Sequence, residues 1–240
     1  RQRQMCIRDR TCHVESAVER LAPLNLKVNK ICTWSLSHYR MIARLAQNKK
    51  PLILDTGTLT HADLQHLSTF YSSQGGGSLY VLFDFHTDIP EHMNFLAIQQ
   101  LLSAGYSVGY TPQGRKDWLD YMCIGLGVTS LEKRLTISRD IPENGHWKAH
   151  DPDEFRVWID NVRECARSLG KPELTPTPQD MEDSKKYYKS AWLVKDVQAG
   201  ELIDDSHFIY KRPGTGVSSK DIIASYLSKS YTKSFTEGEM

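Results

Sequence analysis

The stretch Lys50-Pro-Leu-Ile-Leu-Asp-Thr-Gly57 decides the fold of this 240-residue chain. The apolar run Leu52-Ile-Leu54 follows a proline and precedes polar residues and a glycine, which is typical of a short buried strand. A helix start follows at Thr60, because threonine is a good N-cap and Asp63 occupies the third helical position. The sequence therefore predicts a strand that leads directly into a helix.

The same order of strand and helix recurs on both sides of this stretch. The predicted strands begin at Val28, Leu52, Leu79, Val108 and Ser130, which are 22 to 29 residues apart. The predicted helices include residues 36–46, 94–103, 118–126 and 152–169, and residues 129–137 are predicted to be the last strand. Five successive βα units favour a parallel α/β architecture. A doubly wound sheet fits the same period, but no Gly-rich phosphate motif follows any strand, which disfavours its nucleotide-binding versions.

Composition excludes several classes of function. Hydrophobic residues make up 40% of the chain, charged residues 25%, and the formal net charge is +1. We therefore expect a soluble protein without a nucleic-acid groove, and the longest apolar runs are too short to span a bilayer. Five scattered cysteines without a CxxC pair predict reduced thiols in the cytoplasm. The five tryptophans are expected to serve packing, with stacking on a sugar left open for Trp147.

Residues 1–12 differ from the rest, since they carry four arginines and no helical or strand period. We interpret them as non-native or disordered, and the alternative is a basic arm that binds polyanions. After the last predicted helix, the prolines of residues 171–178 and the charged residues that follow predict a linker over residues 171–188.

The last segment, residues 189–240, contains an internal repeat. The run Lys195-Asp-Val-Gln-Ala-Gly-Glu201 returns, loosened, as Lys233-Ser-Phe-Thr-Glu-Gly-Glu239, and Lys211-Arg-Pro-Gly-Thr-Gly216 lies between the copies. The glycine of each copy suits a turn that needs a positive φ. We predict a small β-rich module with internal symmetry.

These motifs resemble a known family. The last segment resembles the SAF or antifreeze-like domain that follows the barrel of bacterial sialic acid synthases. The motifs that match in order and spacing are Lys189-Ser190, the two Gly-Glu turns and Lys211-Arg-Pro-Gly-Thr-Gly216. Lys30-Ile-Cys-Thr33 is similar to that family's Lys-Ile-Ala-Ser, and the opening stretch is similar to its Lys-Pro-x-Ile-x-Ser-Thr-Gly. Glu132-Lys133 and Asn144-Gly-His146 follow in register. The resemblance implies strands 4–8 of a (β/α)₈ TIM barrel over residues 13–170, followed by a β-clip-like SAF domain.

The resemblance also implies a reaction and its site. The family condenses phosphoenolpyruvate with an N-acetylmannosamine-type sugar and uses a divalent metal, Mn²⁺ or Mg²⁺. By position, substrate-binding residues would be Lys30, Thr33, Asp55, His146 and Arg212. Arg212 would reach the sugar across a domain-swapped homodimer.

Several positions depart from the family pattern. Asp84 and Gln113 stand where the family has its two metal-binding histidines, and His86 shares the strand face of Asp84. Asp84, His86 and Gln113 are therefore the candidate metal ligands, because hard cations accept oxygen donors. Asp55 replaces a serine and would repel a phosphate unless a lysine or metal lies between them. Arg134 replaces a histidine and could neutralise Asp55 or Asp84.

Two readings of function remain open at this stage. The first is a divergent sialic-acid-synthase-type enzyme seen here without its first three barrel strands, and hence incomplete. The alternative is a catalytically degenerate homologue that binds carbohydrate or regulates a partner. For Arg212, the alternative to substrate binding is a purely structural role, in which it rigidifies its turn and pairs with Glu201.

Overall fold

The protein is described by a computed structural model that covers residues 11–24, 26–112 and 114–240. It divides into two compact units, one that ends at Gly170 and one that begins at Lys171. Among the described residues, no helix combines the length and the apolar character that crossing a bilayer would require.

The first unit is built on one parallel sheet of six strands in sequence order. The strands are β1 (Thr11–Cys12), β2 (Asn29–Ile31), β3 (Leu52–Asp55), β4 (Leu79–Phe83), β5 (Ser107–Tyr110) and β6 (Ser130–Leu131). Helices follow the strands: α1 (Glu15–Leu21), α2 (Tyr39–Ala46), α3 (His61–Ser73), α4 (Ala97–Ser103), α5 (Asp117–Gly125) and α6 (Pro152–Ser168). The predicted parallel α/β architecture is confirmed, with one strand more than the five expected.

The extra strand corrects the prediction for the N-terminus. Thr11 pairs with Lys30 and Cys12 with Ile31, and Cys12 is buried in the core. The segment interpreted as non-native therefore extends two residues too far. A strand of two residues, one partly exposed and one buried, is too short for its period to be recognised in a sequence. Residues 1–10 lie outside the described residues.

The core lies between the sheet and its helices. Strand residues of alternating position, among them Leu52, Leu54, Val81 and Val108, are fully buried together with the inner faces of α2 and α3. Because successive strand residues point to opposite faces, Asp55 and Lys30 lie on the other side of the sheet. The apolar core thus fixes which strand residues face the polar side.

Several predicted boundaries need correction. The strand predicted over residues 129–137 ends at Leu131, because β5 stops at Tyr110 and Pro112 has no N–H to continue a ladder. The helix predicted over residues 94–103 begins only at Ala97, since Asn94 has a positive φ of 50°. The N-cap prediction at Thr60 is confirmed, with a reciprocal capping box to Asp63.

The second unit begins with a helix that the sequence did not predict. In the predicted linker over residues 171–188, α7 (Pro178–Tyr187) occupies the second half. Thr177 caps it, Pro178 opens the first turn, and Asp180 completes a capping box. The prolines that suggested an extended linker include this helix-starting proline.

In the remainder of the second unit, fewer residues belong to regular β-strands than the predicted β-rich module implies. β7 (Ser190–Leu193) pairs antiparallel with β8 (Phe208–Lys211), and a short helix α8 (Ser219–Asp221) continues into a π-helical turn, Ile222–Tyr226. Isolated antiparallel β-bridges pair Val197 with Phe235 and Leu202 with Ser230.

The two Gly-Glu turns are equivalent in structure, as the repeat predicts. Gly200 and Gly238 have positive φ values of 89° and 80°. The Gln198 N–H donates to Glu201 Oε2 over 3.1 Å, and the Thr236 N–H donates to Glu239 Oε2 over 3.0 Å. Each glutamate therefore closes its own turn in the same way.

Candidate functional site

A polar cleft of about 480 Å³ opens in the first unit where the parallel strands end. Parallel strands bring their carboxyl ends to one edge of a sheet, so residues distant in sequence meet there. The cleft is lined by Thr11, His13, Lys30, Cys32, Thr33, Trp34, Asp55, Asp84, His86, Thr111, Pro112, Glu132, Lys133, Arg134 and Lys148.

Lys30, in the middle of β2, is held between two carboxylates. Its Nζ lies 3.3 Å from Asp55 Oδ1 and 2.8 Å from Glu132 Oε2, and only 7% of its side chain is exposed. Burial opposes the charge, but the two carboxylates outweigh burial and raise the pKa of Lys30 above its ordinary value. The cleft therefore contains a buried ammonium group whose charge is favoured by two carboxylates.

Burial disfavours the charged form of Asp55, the partner of Lys30. Burial raises its pKa from 3.8 to about 6, with Lys30 opposing the shift and Glu132 and Asp84 adding to it. Asp55 Oδ1 is buried and accepts no hydrogen bond; its contact with Lys30 is an ion pair only. A carboxyl group in this condition exchanges its proton near pH 6.

Asp84 lies directly after β4 and is fixed by two threonines. The Thr33 hydroxyl donates to Asp84 Oδ2 over 2.9 Å, and the Asp84 N–H donates to Thr56 Oγ1 over 3.1 Å. His86 Nε2 lies 3.5 Å from the same Oδ2. A Cβ at Gly57 would overlap the Thr33 side chain, so the glycine of the Asp-Thr-Gly motif allows Thr33 to reach Asp84.

Trp34 lies at the edge of the cleft against His86. The two ring centroids are 4.9 Å apart, and 73% of Trp34 is exposed. The expectation that the tryptophans serve packing is wrong for Trp34, Trp118 and Trp147, which are all exposed, whereas Trp158 is buried. A flat ring exposed at a cleft offers a surface for stacking.

Lys133, which also lines the cleft, forms a second buried charge cluster. Its Nζ lies 2.7 Å from Asp117 Oδ1 and 2.6 Å from Asp120 Oδ2, and 1% of its side chain is exposed. The Trp158 indole N–H donates to Asp120 over 2.7 Å, and His150 Nε2 lies 3.1 Å from Asp117. This cluster ties α5 to α6.

The two aspartates of the second cluster differ in their pKa. Burial raises the pKa of Asp120, although Lys133 and Trp158 oppose the shift. Burial acts on Asp117 too, but hydrogen bonds from Lys133 and His150 together hold its pKa below the ordinary value.

The structure brings together five of the eight residues singled out from the sequence. Lys30, Thr33, Asp55, Asp84 and His86 all line the cleft. His146 is not among its lining residues, and its Nδ1 lies 2.7 Å from the Thr136 hydroxyl.

The two remaining predicted site residues have different outcomes. Gln113 lies outside the described residues. Arg212 belongs to the second unit, where its Nε donates to the Tyr187 carbonyl over 3.2 Å and its guanidinium packs on the Tyr187 ring at 5.1 Å. The alternative pairing of Arg212 with Glu201 is wrong, because Glu201 pairs with Lys195.

Sequence reasoning missed several lining residues. Glu132 was recognised only as part of a motif, and its contact with Lys30 joins positions about a hundred residues apart, which no local pattern reveals. His13 and Cys32 approach each other because β1 and β2 are neighbours. Had β1 been recognised, the proximity of these two residues would have followed.

Comparison with known proteins identifies the family. The sequence profile described as the NeuB family matches residues 9–173, more than half of the chain. The chain belongs to the NeuB family. The matched residues contain the whole cleft of the first unit.

Two similar proteins are named as sugar-acid synthases. An N,N'-diacetyllegionaminic acid synthase of Campylobacter jejuni is 23% identical over 93% of this chain and 68% of its own length. A pseudaminic acid synthase of Helicobacter pylori is 22% identical over 85% of this chain and 61% of its own length.

A solved structure shows the same fold. The N-acetylneuraminic acid synthetase of Leptospira borgpetersenii superposes with a TM-score of 0.65, at 17% identity, over 72% of this chain and 61% of that chain. This likeness shows the fold alone. The chain thus spans about three fifths of the length of the Helicobacter and Leptospira proteins.

Proposed function

We propose that this chain carries the phosphoenolpyruvate site of a nonulosonic acid synthase, which condenses phosphoenolpyruvate with an N-acetylmannosamine-type sugar in carbohydrate biosynthesis. The observation that carries the proposal is Lys30, a buried ammonium group at the base of an open polar cleft. Membership of the NeuB family supports the choice of reaction.

The groups of the cleft suit a small substrate with phosphate and carboxylate oxygens. Lys30 would bind these oxygens, and Arg134 and Lys148 also line the cleft. The Thr33 hydroxyl would bind them only after it turns away from Asp84, to which it donates in the structure. Asp84 and Asp88 only partly oppose the lowering of the Lys148 pKa, which is caused by burial and by the repulsion between Lys148 and Arg134. An anion between them would relieve this repulsion.

The sequence suggests that Asp55, which replaces a serine of the family, would repel the substrate's phosphate group, but its surroundings reduce this repulsion. Lys30 lies 3.3 Å from it, and a pKa of about 6 leaves the carboxyl group partly protonated in mildly acidic solution. We assign Asp55 the role of holding Lys30 in place and of exchanging a proton near the bound substrate. Its residue type is then compatible with phosphoenolpyruvate.

The sugar side of the site remains a prediction. His146 and Arg212 are proposed to contact the sugar, Arg212 from the partner of a domain-swapped homodimer through an SAF-type second unit. The paired Gly-Glu turns of that unit support the SAF interpretation. Light scattering of the purified protein tests the dimer, since a monomer would remove this role for Arg212.

A divalent metal fits the described residues poorly. Asp84 and His86 supply two donors 3.5 Å apart, but Asp84 already accepts the Thr33 hydroxyl. Among residues 11–24, 26–112 and 114–240, no group of three or more His, Cys, Asp or Glu side chains could hold a metal ion. We therefore assign no chemical step to Mn²⁺ or Mg²⁺ at this site.

The reaction is tested by assaying the protein with phosphoenolpyruvate, 2-acetamido sugars and Mn²⁺, and measuring phosphate release. We expect release that depends on the sugar and is lost in Lys30→Met. Failure to consume phosphoenolpyruvate with any such sugar would overturn the assignment.

A specific observation favours a second candidate, a degenerate homologue that binds carbohydrate or regulates a partner. By the resemblance to the family, Asp84 and Gln113 replace the family's two metal-binding histidines. Calorimetry with a 2-acetamido sugar, combined with the phosphate-release assay, distinguishes the candidates, because sugar binding with turnover would argue for the enzyme. Binding of a 2-acetamido sugar without turnover would argue for the homologue.

A further inference from the structure

One contact in the cleft has no part in the proposed reaction. The Cys32 Sγ atom lies 3.4 Å from His13 Nδ1, within the distance of a hydrogen bond to sulfur. Cys32 follows β2, and His13 follows the neighbouring β1. Both side chains line the cleft, His13 is exposed and Cys32 is partly exposed.

The other described cysteines lack this combination. Cys12 and Cys123 are buried, and burial raises the pKa of both thiols, which makes them poor nucleophiles. Cys165 is partly exposed like Cys32, but its Sγ contacts the Tyr121 carbonyl at 3.9 Å. A carbonyl oxygen accepts the thiol proton only as a hydrogen bond, whereas an imidazole nitrogen can remove it.

We propose that Cys32 and His13 form a thiol–imidazole pair that makes Cys32 the preferred site on this chain for covalent modification by small carbon electrophiles. With the ring proton on Nε2, His13 Nδ1 accepts the proton of the thiol. The sulfur then attacks the electrophilic carbon. With a haloacetamide, an S–C bond forms, the carbon–halogen bond breaks, and the halide leaves with the bonding electrons.

Modification at this position would also occupy the cleft. Cys32 lies between Ile31 and Thr33 in sequence and lines the same cleft as Lys30. An acetamide group on the Cys32 sulfur would therefore fill space beside the ammonium group of Lys30. We expect the adduct to exclude small anions from this part of the cleft.

The probe for the first test is iodoacetamide, with the labelled peptides followed by mass spectrometry over time. A Cys6→Ser background removes the cysteine that lies outside the described residues. We expect Cys32 to be alkylated about tenfold or more faster than Cys165, and His13→Gln to remove most of this difference without changing the rate at Cys165. His61→Gln, an exposed histidine at the start of α3, is the control and should leave both rates unchanged.

Equal rates at Cys32 and Cys165, or an unchanged Cys32 rate in folded His13→Gln, would overturn the proposal. A circular dichroism melt of each variant confirms that the rates belong to folded protein. Because His13 is exposed, its replacement removes the ring without opening the core.

Exclusion of anions is tested separately and rests on the proposed function. Phosphoenolpyruvate binding is measured by calorimetry before and after alkylation, with Cys32→Ser treated in the same way. We expect binding to be lost only when Cys32 carries the adduct, and retained binding would contradict the occupation of the cleft. If the untreated protein does not bind phosphoenolpyruvate, the proposed function fails while the alkylation rates still decide the reactivity of Cys32.

Discussion

Lys30 and Lys133 are both buried lysines that contact two carboxylates, yet their surroundings differ. Lys133 is enclosed by Asp117 and Asp120, and Trp158 adds a hydrogen bond to Asp120. Lys30 contacts Asp55 and the half-exposed Glu132, and it faces an open cleft. The carboxylates of Lys133 are arranged to stabilise helices α5 and α6. Those of Lys30 hold a positive charge at the wall of the cleft.

The largest difference concerns stability. We expect Lys133→Met to reduce the free energy of unfolding by about 3–5 kcal/mol, because two carboxylates remain buried without their cation. Lys30→Met should cost less, about 1–3 kcal/mol, since Asp55 can take up a proton and Glu132 can turn to solvent. Urea unfolding of both variants at pH 7 measures the two losses. Equal losses would remove the distinction between the clusters.

The pH dependence of stability separates the clusters next. The folded pKa of Asp55 is about 6 and its ordinary value 3.8, so the folded state binds more protons between these values. The contribution of Asp55 is therefore present below about pH 4 and is lost as the pH rises through 6. Wild type should lose up to about 3 kcal/mol relative to Asp55→Asn over this range, by urea unfolding at several pH values.

Asp63→Asn is the matched control for that experiment. Hydrogen bonds from Thr60 lower the pKa of Asp63, so its contribution is present above pH 4 and lost as the pH falls. The difference between wild type and Asp63→Asn should therefore have the opposite sign of slope. A flat difference for Asp55→Asn would contradict the raised pKa.

A smaller effect is expected on the hydrogen bond that closes the Lys133 cluster. Trp158→Phe keeps the ring packing but removes the N–H that donates to Asp120 over 2.7 Å. We expect a loss of about 1.5–3 kcal/mol, the range for a hydrogen bond to a charged group. Thermal unfolding measures it, and phosphoenolpyruvate binding should remain as in wild type. Weakened binding would mean that the two clusters are coupled.

The smallest effect is expected at Glu132. Its side chain is 46% exposed, so its ion pair with Lys30 resembles a surface salt bridge. Glu132→Gln should therefore change the free energy of unfolding by less than about 1 kcal/mol. A loss as large as that of Lys133→Met would show that Lys30 depends on Glu132 in the way Lys133 depends on its aspartates.

The sequence predicts the first unit better than it predicts the cleft. Strand β4 begins at Leu79 as expected, β5 begins one residue before the expected Val108, and the capping box at Thr60 forms as expected. These features depend on neighbouring residues, which a pattern can reveal. The opposite orientations of Glu132 and Lys133, one toward Lys30 and one toward α5, depend on contacts between distant segments. No periodicity encodes such contacts.

The second unit illustrates the same limit. Its two Gly-Glu turns form a repeat that the sequence reveals, because each turn depends only on neighbouring residues. In each, a backbone N–H donates to the glutamate three residues later in the chain. Helix α7 was missed because its proline was interpreted as a linker residue, although Thr177, Pro178 and Asp180 together make a helix start. A proline therefore needs to be interpreted together with the residues that flank it.

The central claim is that the buried charge of Lys30 binds phosphoenolpyruvate, and calorimetric titration tests it most directly. Phosphoenolpyruvate is titrated into wild type, Lys30→Met and the control Lys27→Met, whose lysine is exposed. We predict binding to wild type and Lys27→Met, and a loss in affinity of about tenfold or more in Lys30→Met. Equal affinity of folded Lys30→Met and wild type would contradict the claim.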